Sequence, residues 1–138
     1  MIMLNMNGLT RSNFMNKYEE YFIKKFIYQN KRDRFIYEFT KKREEAIDRF
    51  SHDINKYIID KRIEKVINKL DYDDFRNLFK NDTVYILSNT YIDGVIFNIE
   101  DAFNYTYNES NVVIILKDDL ALIKTENEGG ISTYYFLK

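Results

Sequence analysis

From Asn13 to Leu70 the chain has neither glycine nor proline, and its apolar residues recur every three or four positions. Beyond Asp71 that period gives way to short β-branched runs separated by turn dipeptides. A four-residue apolar repeat buries one side of a helix, whereas alternation buries one side of a strand. The change of period therefore splits the chain into a helical half and a sheet half.

In the first half, Phe14, Tyr18, Phe22 and Phe26 form one series, Phe35, Phe39, Ala46, Ile47 and Phe50 a second, and Ile54, Tyr57, Ile58, Ile63, Val66, Ile67 and Leu70 a third. These spacings predict helices near 13–29, 32–50 and 54–70, with Ser12 as the first N-cap. Gln29-Asn30 and Ser51-His52-Asp53 are the expected interruptions. A short fourth helix near 72–80 would start at Asp71, with Asp73 and Asp74 placed where the helix dipole favours acids.

In the second half, Val84–Leu87 reads as a strand and Asp93-Gly94 as a turn. Asn98 looks like the cap of a helix running to about Tyr107. Val112–Lys117, Leu120–Thr125 and Ile131–Leu137 read as a meander turned at Asp118-Asp119 and at Gly129-Gly130. Residues 84–117 read as a β-α-β unit, right-handed if its strands pair in parallel. The expected class is α+β. An N-terminal helical half of three to four helices packs with a C-terminal four- to five-stranded mixed sheet, which contains the β-α-β unit and the antiparallel meander; the fifth strand is 94–98. A length of 138 residues suits one domain. It would comprise a flexible segment 1–12, a helical half 13–80 and a β-rich half 81–138.

Composition removes whole chemistries. There is no cysteine, so no disulfide framework, thiolate metal site or thiol nucleophile can form. His52 is the only histidine, which excludes HExxH and any two-histidine site within one chain. Four glycines, at 8, 94, 129 and 130, cannot build GxxxxGK[ST] or GxGxxG. Asp71, Asp73 and Asp74 fail the calcium-loop pattern, because no glycine follows at the required place. The longest aliphatic run, Val112 to Leu116, is far short of the ~20 residues that span a bilayer. Met1 to Asn13 lacks the layout of a secretory signal. The expectation is a soluble cytoplasmic protein with no cofactor, no metal and no membrane partner.

The net charge of −1 conceals an asymmetry. Residues 1–70 carry 16 Lys/Arg and 10 Asp/Glu, for +6, and residues 71–138 carry 5 and 12, for −7. Such a dipolar layout can report on partners, or on attraction between the two halves.

Four sets of residues could carry function. Lys24, Lys25, Lys31, Arg32, Arg34, Lys41, Lys42 and Arg43 interleave with aromatic residues, the combination that a single-stranded RNA or DNA groove needs. The competing reading puts those rings in the core and the charges in solvent, which the four-residue spacing favours. His52, with Arg49 and Asp53 or Asp48, is the set available for acid–base chemistry, though Ser51 beside it cannot face it on a helix. Structural capping is the simpler role for this histidine. Glu126 and Glu128, with Asp118 or Asp119, could hold Mg²⁺, but polar hairpin tips explain them as well. Finally, Tyr105, Tyr107, Tyr134, Asp118, Asp119, Glu126 and Glu128 lie in an acidic, tyrosine-rich half suited to a protein interface.

No motif is specific enough to carry a family name. The leading reading is a non-enzymatic protein-interaction module, with the profile of a small inhibitor, an immunity factor or an accessory subunit of a defence-related or mobile-element system. It would act on another protein or on a second copy of itself. A nucleic-acid-binding module comes second, and an enzyme of unrecognised type third.

Overall fold

The computed structural model describes residues 16–80 and 82–138. The segment expected at 1–12, the Ser12 cap and Phe14 lie outside the described residues.

Among the described residues, six α-helices and six strands follow in the order α1 (Lys17–Phe26), α2 (Arg32–Lys41), α3 (Arg43–His52), α4 (Ile54–Tyr57), β1 (Ile63–Ile67), α5 (Tyr72–Phe79), β2 (Thr83–Ser88), β3 (Ile96–Asn98), α6 (Ile99–Asn108), β4 (Val113–Lys117), β5 (Leu120–Lys124) and β6 (Tyr134–Leu137). The class is α+β. The strands form one sheet in the order β1-β6-β5-β4-β2-β3. Alternation along each strand sends side chains to two cores. Tyr85, Leu87, Ile114, Leu116, Ala121, Ile123 and Leu137 meet α1–α4 on one face. Val84, Ile86, Val113, Ile115, Leu122 and Phe136 meet α5 and α6 on the other.

Local chemistry sets the helix starts. Asn16 accepts from the Glu19 amide at 3.0 Å, Asp71 from Asp74 at 2.8 Å, and Asn98 from Asp101 at 2.8 Å. Each cap satisfies one of the donors that a helix N-terminus leaves without a partner. Phe22, Phe26, Phe35, Phe39 and Phe50 all face inward, with Phe35 stacked on Phe39 and edge-on to Phe50. Each buried ring contributes ~1.5–3 kcal/mol of transfer free energy.

Three expectations are corrected. The helix expected over 32–50 is two helices, broken at Lys42 (φ −138°, ψ 56°). The Thr40 hydroxyl donates to the carbonyls of Ile36 and Tyr37 at the end of α2, competing with helix continuation. Glu44 and Glu45 then occupy the first turn of α3, where acids favour a new start. The helix expected over 54–70 exists only as α4, and its second part is the edge strand β1. Ile63 and Ile67 are four apart, which reads as a helical face. In fact a bulge between Ile63 and Lys65 turns them to opposite faces of the sheet, one toward each core.

Among the described residues every strand pair is also antiparallel, so the sheet is not mixed there. Residues 96–98 do pair, as an antiparallel partner of β2. That extra reversal precedes α6, so β4 returns antiparallel to β2 and the parallel β-α-β unit does not form.

Lys80 follows α5 at φ 61° and ψ −153°, a region that only glycine occupies without cost. Lys80→Gly should therefore raise the unfolding free energy by about 1 kcal/mol, the relieved strain being partly offset by glycine's backbone entropy. Urea denaturation checks this, and a decrease in stability would contradict it.

Candidate binding groove

The basic–aromatic stretch does not build an open groove lined by its phenylalanines. Phe22, Phe26, Phe35 and Phe39 are core residues. Most of the cations beside them are engaged within the fold. Lys24 pairs with Glu20 at 3.7 Å, and Arg34 with Glu38 at 3.2 Å. Arg32 donates to the Ile27 and Lys24 carbonyls at 3.0 and 2.7 Å, closing the end of α1. Lys25 donates to the Asp119 carbonyl at 3.0 Å and lies 3.7 Å from its carboxylate. Lys31 is half-buried beside the start of α2, and Lys41 and Lys42 are exposed at the α2–α3 junction. Two tyrosines of this half, Tyr21 and Tyr37, are exposed.

Arg43 has a different role. Its guanidinium contacts Glu19 at 3.0 Å and Asp93 at 2.5 Å, while the Tyr85 hydroxyl donates to the same Glu19 carboxylate. Glu19 is 1% exposed. Burial works to lower the Arg43 pKa, but its hydrogen bonds with Asp93 and Glu19 and their negative charge hold it above the ordinary value. Burial, and then the bond to Glu19, push the Tyr85 phenol up to about 12. This network ties α1, α3 and β2 to the loop before β3. Sequence offered no signal for it beyond an acid, Glu19, on the apolar side of α1.

Arg49, His52 and Asp53 are drawn to separate partners. Arg49 binds Glu38 at 2.9 Å, and Asp53 binds Lys56 at 3.6 Å. His52 is exposed while Ser51 is buried. The His52 Nδ1 lies 2.9 Å from the Asp48 carbonyl and Nε2 lies 3.2 Å from Glu126 Oε1. The Asp48 carbonyl, and then the carboxylates of Asp48, Glu126 and Glu128, raise the pKa of this imidazole.

The acidic residues do not form one patch. Asp118 and Asp119 make the β4–β5 turn, whereas Glu126 and Glu128 follow the opposite end of β5. Five strand residues put about 17 Å between the two pairs. Glu128 instead closes a small turn with Ile131. The two halves do attract each other, through Arg43–Asp93 and Lys25–Asp119.

The tyrosines are divided as well. The Tyr105 hydroxyl is tied to Thr90 at 2.5 Å and to Glu109 at 2.8 Å. Burial is the main cause of its raised pKa. Tyr107 and Tyr134 instead line an open cavity of about 550 Å³ with Asn68, Lys69, Lys124, Ile131 and Ser132. Tyr107 (68% exposed) and Ile131 (60%) present apolar surface beside it. Lys124, only 3% exposed, donates to the Glu109 carbonyl. Burial lowers its pKa, and the Glu109 carboxylate opposes that. The buried Ser132 Oγ has no hydrogen-bond partner among the described residues. Burial, and then proximity to Tyr107, raise the Tyr134 phenol. An apolar rim and an exposed cation, Lys69, beside one concavity are usual elements of a recognition site. Sequence picked out Tyr107 and Tyr134 but not Lys124 or Ser132, whose places depend on how β5 and the 127–133 turn meet.

Among the described residues no helix is long and apolar enough to cross a membrane. No family model, curated protein or solved structure matches this chain.

Proposed function

We propose that this chain is a non-enzymatic protein-binding module, and that its contact surface is the groove bounded by Tyr107 and Ile131. The observation that carries this reading is the pairing of two large exposed apolar side chains with a polar cavity floor. Aromatic anchors around a concavity concentrate binding energy, and a polar floor fixes orientation. The exposed Lys69 at the cavity favours a partner segment that brings a carboxylate. A small inhibitor, immunity factor or accessory subunit working in the cytoplasm is the role that fits the chain's size and charge layout.

Affinity capture from the host lysate, repeated with Tyr107→Ala/Ile131→Ser and with Tyr37→Ala, tests this. Both variants alter exposed positions, so the fold should survive. The expected outcome is a stoichiometric protein partner retained by the wild type and by Tyr37→Ala, and weakened at least tenfold by the groove variant. Equal retention by all three, or no partner at all, would count against the groove.

Nucleic-acid binding stands second. The observations that favour it are the exposed Tyr21 and Tyr37 on the basic helices, near the exposed Lys41 and Lys42.

A further inference from the structure

We propose that Asp48, His52 and Glu126 form a binding site for a divalent transition-metal ion of the Zn²⁺, Co²⁺ or Ni²⁺ class. The three donors converge from distant parts of the chain. Asp48 and His52 lie one helical turn apart on α3, and Glu126 comes from the segment after β5. Each offers a ligand atom within 4.8 Å of the other two.

The histidine is set up for this role by its own hydrogen bond. A backbone carbonyl only accepts, so the contact between Nδ1 and the Asp48 carbonyl places the ring proton on Nδ1. The lone pair of the neutral ring is then on Nε2, which faces Glu126. An Nδ1–H held by a backbone carbonyl is the arrangement that orients metal-binding imidazoles through Nε2. The spacing of one ligand pair also fits, and Asp48, an exposed side chain within 4.8 Å of the other two, closes on the ion by a small rotamer movement. In a tetrahedral site with bonds near 2.0–2.1 Å, neighbouring nitrogen and oxygen ligands stand about 3.3 Å apart. The Nε2–Oε1 separation is 3.2 Å. A lone pair and a carboxylate oxygen so close repel each other unless a positive charge lies between them. That charge is either a proton on Nε2 or a metal ion.

One imidazole and two carboxylates select a borderline ion over Mg²⁺ or Ca²⁺, which prefer all-oxygen sites. Glu128 lies near enough to add its charge to the negative field at the ring. Three protein ligands leave further positions for water, and a bound ion would clip α3 to the segment after β5.

His52 is the only histidine, so a long-range ¹H–¹⁵N spectrum shows a single imidazole. Titration with ZnCl₂ at pH 7.5 should move the Nε2 resonance, saturate at one equivalent and reverse with EDTA. MgCl₂ at the same concentrations should leave it in place. Asp48→Asn and Glu126→Gln should each weaken Zn²⁺ binding at least tenfold, and His52→Ala should remove one equivalent in calorimetry. All three positions are at the surface, and circular dichroism of each variant confirms an intact fold. An Nε2 resonance unmoved by one equivalent of Zn²⁺ would overturn the proposal and leave a simple His52–Glu126 ion pair. Unchanged affinity in both carboxylate variants would also overturn it, since the histidine would then be binding alone.

Discussion

Arg43→Met should lower the unfolding free energy by about 3–5 kcal/mol, because it takes a bidentate guanidinium away from the buried Glu19 carboxylate and from Asp93. The side chain it removes contacts Glu19 at 3.0 Å and Asp93 at 2.5 Å, and Glu19 is almost wholly out of solvent. An exposed ion pair contributes far less, typically under ~1 kcal/mol. The neighbouring Arg34–Glu38 pair, with Arg34 in solvent, is the internal comparison, and Arg34→Met should cost little. The double variant Glu19→Gln/Arg43→Met should lose less than the sum of its two single changes, since the buried charge and its partner leave together. Urea denaturation of the four proteins measures each term. A loss below about 1 kcal/mol for Arg43→Met would show that this network does not hold α1 and α3 to the sheet.

The same network makes stability fall at alkaline pH. The Tyr85 phenol titrates near 10 in the unfolded chain and is pushed up to about 12 in the fold, first by burial and then by its bond to Glu19. Below pH 10 both states keep the proton and the group is silent. Between pH 10 and 12 the unfolded chain gives it up first, so unfolding becomes progressively more favourable. Two pH units correspond to roughly 3 kcal/mol of lost stability. Tyr105 and Tyr134, whose pKa values are also raised, act in the same direction. Denaturant titrations from pH 9 to 12 should show this decline, and Tyr85→Phe should flatten it. An equally steep decline in Tyr85→Phe would contradict the assignment.

Much of the fold is legible from local chemistry. Asp71 and Asn98 cap the helices they were expected to cap. Asp93-Gly94 makes its turn, with Gly94 at φ 84°. The runs at 84–87, 113–117 and 120–124 are strands because β-branched and aliphatic residues fill both of their faces. The failures share one cause. Periodicity reports which side of an element is buried, but not what that side meets. Ile63 and Ile67 mimic a helical face because a bulge changes the count between them. The antiparallel pairing of β2 with β4 depends on the three-residue strand β3, expected within 94–98, whose pairing direction residue type does not set.

The candidate site follows the same division. Tyr107 and Tyr134 stood out by residue type, and the structure places both at one cavity. Asp118 and Asp119 belonged to the same expectation and lie at the far end of β5. Lys124 and Ser132 carry no local signal, since one is a strand residue among aliphatics and the other sits between the Gly129-Gly130 turn and β6. Of the charge asymmetry, part is spent inside the molecule, where cations of the helices meet acids of the sheet half. What then distinguishes the groove is shape and apolar rim rather than net charge.

Site-specific photo-crosslinking tests most directly whether the groove, rather than the basic helices, is the binding face. A photoreactive phenylalanine analogue at position 107 in one protein and at position 37 in another would be irradiated in host cells. Tyr107 and Tyr37 are both exposed, at 68% and 60%, so either probe reaches its surroundings. The account predicts a discrete protein adduct from position 107 and none from position 37. Adducts from position 37 alone, whether to protein or to nucleic acid, would contradict it.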